Sequence, residues 1–64
     1  MKRHLDYHVA IKYLMDAGFE LNKMIEIPSD ALTKQFQYWI KDDGAEMYLL
    51  EVLYTDHAFM FKLI

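Results

Sequence analysis

The chain has 64 residues, no cysteine and a net charge of −3, and 55% of it is hydrophobic and 16% aromatic. A chain of this length is one domain, residues 1–64, that buries only about 60% of the surface its unfolded form exposes. The composition excludes disulfides, thiolate metal sites and cysteine nucleophiles, and the acidic balance is the reverse of the usual nucleic-acid-binding footprint.

Residues 4–17 read as a helix. Tyr7, Ala10, Ile11, Leu14 and Met15 recur at spacings of three and four and so share one face. Leu5, Val9 and Tyr13 form a second apolar line, so the helix could be covered on two sides. Gly18 ends it, since glycine readily takes the left-handed conformation that closes helices.

Phe19 to Ile27 alternates, with Phe19, Leu21, Ile25 and Ile27 on one side, and reads as a strand with one buried face. Pro28 stops it, because proline cannot donate to a ladder.

Residues 30–41 fit two readings. Ser29 or Asp30 suits a helix N-cap, and Leu32, Phe36, Trp39 and Ile40 have helical spacing. Phe36, Tyr38 and Ile40 also alternate with Gln35, Gln37, Trp39 and Lys41, in a run rich in strand-favouring aromatics. The strand from Lys34, preceded by at most one helical turn around Asp30–Thr33, is preferred. The reason is that Asp43-Gly44 makes a hairpin turn when β-prone runs flank it.

Glu46 to Tyr54 places Tyr48, Leu50, Val52 and Tyr54 opposite Met47, Leu49, Glu51 and Leu53. Both sides are largely apolar, as in a strand covered on both faces. Thr55-Asp56 turns the chain. His57 to Ile64 then supplies a last strand, with Phe59, Phe61 and Leu63 opposite Ala58, Met60, Lys62 and Ile64.

The expected fold is therefore α+β: an N-terminal helix packed on a small antiparallel sheet of three to four strands, in the order helix–strand–strand–strand–strand. One helix covers one face of such a sheet. The other face is expected to expose Met24, Trp39, Met47, Leu49, Leu53, Met60 and Ile64, which calls for a homodimer or a protein partner.

Catalytic equipment is thin. Ser29 is the only serine and suits capping. Asp42 and Asp43 sit in a solvated turn, far from the apolar pocket that raises a carboxyl pKa for acid–base work. Gly18 and Gly44 are the only glycines, so no phosphate-cradling loop exists. His4 and His8, four apart on a helix, could meet one metal with His57 beside Asp56. The zinc-protease pattern His-Glu-x-x-His is missing, however, and unrelated polar histidines are the expected outcome. No enzyme activity, metal or cofactor is expected.

No apolar run reaches the ~18 residues of a transmembrane helix, and Asp6, His8 and Lys12 interrupt any signal-like start. The chain is expected to be cytoplasmic, without a membrane role. The best-fitting function is binding to another protein, of the kind that phage and mobile-element products use to inhibit host machinery. Tyr13, Tyr38, Trp39, Met47 and Tyr54 are its contact residues, because aromatics and methionine are enriched at interface cores. The alternative is a small dimeric nucleic-acid-associated regulator, such as an antitoxin or DNA-binding accessory protein. It would use the basic start Lys2-Arg3-His4 and an aromatic sheet.

Overall fold

Six elements follow one another in a computed structural model that describes residues 2–28 and 32–64, Lys2 by its backbone alone. They are β1 (Lys2–Asp6), α1 (Tyr7–Asp16), β2 (Glu20–Glu26), β3 (Thr33–Lys41), β4 (Glu46–Leu53) and β5 (His57–Lys62). The fold is α+β, with the helix packed on a five-stranded antiparallel sheet of order β1-β5-β4-β3-β2. The expected Ser29 or Asp30 cap, and the start of the helical turn before Thr33, lie outside the described residues.

The strand at the N-terminus corrects the helix expected over 4–17. Lys2 to Asp6 pair antiparallel with Phe61 to His57, so the free edge of β5 captures residues whose local pattern also suited a helix. Tertiary pairing overrides helix propensity here. Asp6 still has extended backbone at φ −63° and ψ 141°. Tyr7 N–H then donates to Asp56 O at 2.9 Å, which ties the first helical residue to the β4–β5 turn.

At the other end of α1, Gly18 behaves as its position predicts. Its φ is +90°. Its N–H donates to Met15 O at 3.0 Å, and Phe19 N–H donates to Leu14 O at 2.9 Å. That hydrogen-bond pair is a Schellman motif, and its usual apolar contact is supplied by Leu14 and Phe19, both buried.

The helix lies over β1 and β5. Ala10 and Leu14 are fully buried against a core of Phe19, Trp39, Leu50, Val52, Ala58 and Met60, with Leu5, Tyr7 and Ile11 packed around it. Met15, expected on the buried face, is 61% exposed. Val9, on the second apolar line, is exposed as well.

Residues 33–41 form a strand, as the alternation of Phe36, Tyr38 and Ile40 implies. The turn after it is a single 3-10 turn in which Asp42, Asp43 and Gly44 all have positive φ. Aspartate and glycine tolerate that conformation best. The β4–β5 turn likewise holds Asp56 at φ +61°.

The turn also decides which side chains are buried. It joins Lys41 to Glu46, so Trp39 pairs with Tyr48, and odd-numbered β3 residues share a face with even-numbered β4 residues. Trp39 therefore lies under the helix at 6% exposure instead of on the uncovered face. Met60 pairs with Leu50 and is buried beside it, a second departure from the expected face.

β2 departs too. A bulge between Leu21 and Lys23 shifts its register, so Leu21 pairs with Trp39 on the helix side and Ile25 with Phe36 on the other. All seven residues of β2 are exposed, because α1 does not reach that edge.

A buried polar chain borders the core. Trp39 Nε1 donates to Gln37 Oε1 at 2.9 Å, and Gln37 Nε2 donates to Gln35 Oε1 and, at 3.1 Å, to Tyr7 Oη. Gln37 is 3% exposed, and among the described residues no buried side-chain polar atom lacks a partner.

Truncating the core should separate the two sides of α1. Leu14→Ala is expected to cost about 2–5 kcal/mol of stability, and Met15→Ala about 0.5 kcal/mol or less. Urea denaturation followed by circular dichroism measures both.

Candidate functional site: the open sheet face

Register alone assigns the face turned away from α1. One row crosses all five strands as His4, Phe59, Glu51, Phe36 and Ile25. The next contains Phe61, Leu49, Tyr38 and Lys23. Met47 and Ile40 pair beyond it, and Leu53 opposes Thr33 at the other end. Phe36, Tyr38, Ile40, Met47, Leu49, Leu53, Phe59 and Phe61 are half-buried. They shield one another along the sheet while no helix among the described residues lies over them.

One ionised group stands inside this field. Glu51 sits between Phe59 and Phe36 in its row, and Thr33 Oγ1 donates to its Oε2 at 2.6 Å. The hydroxyl leaves the rest of the carboxylate facing the open side. A carboxylate covered by apolar surface without a further donor would be costly.

The ionisable corner lies at β1. The His4 and His57 rings stack at 4.9 Å, and His4 lies 5.1 Å from the Phe59 ring. His57 Nε2 is 3.2 Å from Asp6 Oδ1, and its Nδ1 is 3.3 Å from Thr55 Oγ1. His8 stands on α1 against the Tyr7 ring instead. Two of the three histidines thus converge. No group of three or more His, Asp or Glu among the described residues is placed to hold a metal ion.

The five expected contact residues are dispersed. Tyr38 and Met47 lie on the open face. Trp39 is buried on the helix side. Tyr13 is on the outer side of α1, edge-on to Tyr48 at 6.5 Å and 5.7 Å from the Arg3 guanidinium. Tyr54 follows β4 and is 54% exposed. Phe36, Ile40, Phe59 and Phe61, which the expected contact set omits, fill the face between Tyr38 and Met47. Their alternation is visible in the sequence, and counting residues through the 42–45 turn would have placed them.

The sheet edges are guarded. β2 carries a bulge together with Glu20, Lys23 and Glu26. Bulges and charges, lysine especially, are devices that discourage a further strand from adding to an edge. The open face has no such protection apart from Glu51. No helix among the described residues is long and apolar enough to cross a membrane.

The chain matches no protein-family model, no curated protein and no solved structure.

The Thr33–Glu51 bond makes a measurable prediction. Thr33→Val should cost about 1.5–3 kcal/mol, the usual worth of a hydrogen bond to a charged group. In a Glu51→Leu background the same change should cost less than about 0.5 kcal/mol. A double-mutant cycle by urea denaturation reads the difference.

Proposed function

We propose that this chain is a non-catalytic binding protein whose open sheet face seats a second polypeptide. The observation that carries the reading is the division of the sheet. One face is closed by α1, and the other presents Phe36, Tyr38, Ile40, Met47, Leu49 and Leu53 with no element of the chain above them. Contiguous apolar surface of this kind, rimmed by polar groups, marks interaction sites on soluble proteins. Phenylalanine, tyrosine and methionine are also the residues that interface cores favour.

Two features favour a polypeptide docked on the face over other ligands. The bulged, charged β2 edge argues against strand addition. Glu51 in the middle of the aromatic row argues against a stacked nucleic-acid strand, because its carboxylate would repel the phosphates running past Phe36 and Phe59. The regulator reading loses support accordingly, and inhibition of a host protein stays within the favoured class.

Retention of a polypeptide by the tagged protein tests this, with untagged copies of the same chain counted among the candidates. Leu49→Lys and Tyr38→Lys are expected to abolish retention, and Tyr54→Lys and Tyr13→Lys to leave it intact. Retention indifferent to Leu49 and Tyr38, or salt-sensitive retention of a mixed oligonucleotide in its place, overturns the reading.

A further inference from the structure

We infer that the polypeptide seated on the open face is a second copy of this chain, stacked face to face, with the Tyr38 hydroxyl of each copy donating to Glu51 of the other. The inference rests on the docking-face reading above and names its occupant.

Area comes first. Five strands about 4.8 Å apart, each presenting about six residues at roughly 3.3 Å, make a face of about 500 Å². Two such faces remove about 1,000 Å² from water together, which reaches the lower bound for a specific interface. A small core makes that area matter, because eight buried apolar residues form the whole inner cluster. Domains this small commonly depend on oligomerisation when they have neither disulfides nor a structural metal.

Charge then selects the symmetry. Two stacked copies have two simple choices of two-fold axis in the plane between the sheets. An axis along the central strand β4 places Glu51 on Glu51 of the second copy, two carboxylates meeting in an apolar layer. An axis across the strands, between the Glu51 row and the Leu49 row, instead sets each row over the other row of the second copy. Glu51 then lies over Leu49 and beside Tyr38, Phe59 over Phe61, and Phe36 over Tyr38. Sheets packed face to face stand about 10 Å apart. A tyrosine hydroxyl and a carboxylate reaching from neighbouring strands span that gap. The bond occurs twice per dimer and supplies the donor that Glu51 lacks beyond Thr33. Aligned packing keeps the two strand directions within about 30° of each other, so these row pairings persist across the sandwich.

Edge pairing through β2 is the competing route to a dimer. Its bulge and its Glu20, Lys23 and Glu26 oppose it.

Sedimentation equilibrium of the full chain tests the inference, with circular dichroism to verify folding. Wild type is expected to be a dimer at micromolar concentration, and folded Leu49→Lys a monomer. Tyr38→Phe and Glu51→Gln should each raise the dimer dissociation constant about tenfold or more, the effect of losing hydrogen bonds to a charged group. The double variant should be no weaker than the weaker single one. A dimer that Leu49→Lys leaves intact overturns the inference in favour of an edge contact. A dimer that Leu49→Lys dissociates, but in which Tyr38→Phe and Glu51→Gln act independently, overturns the across-strand arrangement. A wild-type monomer that still retains a Leu49-dependent polypeptide overturns the second copy and keeps the docking face. A monomer that retains nothing overturns both.

Discussion

A sheet has two faces, and this chain supplies one helix. The turn at residues 42–45 decides which face receives it. By pairing Lys41 with Glu46, it gathers Gln37 and Trp39 with Leu50 and Val52, and the β4–β5 register adds Ala58 and Met60. Leu14 and Ala10 of α1 close over that set. A turn one residue longer or shorter would reverse the parity and send Phe36 and Tyr38 under the helix instead, since side chains alternate with period two. The core and the open face are consequently two outcomes of one register.

The helix-side face carries its own reason for staying in that register. Gln37 is buried, and its amide joins Trp39, Gln35 and Tyr7. A slip by one residue would turn Gln37 and Trp39 outward, break that chain and leave the Tyr7 hydroxyl without its partner. Buried polar networks cost little when fully satisfied and much when half satisfied. This one therefore weighs against the alternative register more than it adds to net stability.

Much of the architecture is legible in the sequence, and the misses share a cause. The Schellman close at Gly18, the strand at Thr33–Lys41, the turn at Asp43-Gly44 and the hairpin at Thr55-Asp56 follow from residues near one another in the chain. β1 could not be read locally, because Leu5 fits a helix line and only the free edge of β5 makes it a strand. The β2 bulge, which separates Leu21 from Ile25, has no marker in the residues themselves. Trp39 and Met60 were expected on the open face because an alternation shows which residues share a side within a strand, while relating two strands requires their loop parity. Tyr38, Met47, Leu49 and Leu53 come out on the open face, so the mismatch between one helix and two apolar faces survives those errors.

Glu51 gives that mismatch its specificity. A wholly apolar face would stack on any other apolar surface, including those of unfolded chains. One carboxylate among Phe59, Phe36 and Leu49 makes most such contacts unfavourable, since it must surrender water and find a donor in return. Thr33 satisfies one oxygen from within the chain. The remaining demand is met only by an occupant that places a hydroxyl, amide or cation at one point on the face. Tyr38 occupies the adjacent strand and adjacent row, so a two-fold operation across the strands brings two donors to two carboxylates at once. Any sideways shift by one strand forfeits both bonds together. Folding and association are then linked by mass action, because a partner that binds only the folded chain adds to its stability as concentration rises. A single charge thus limits which surface can cover the half of the sheet that α1 leaves open.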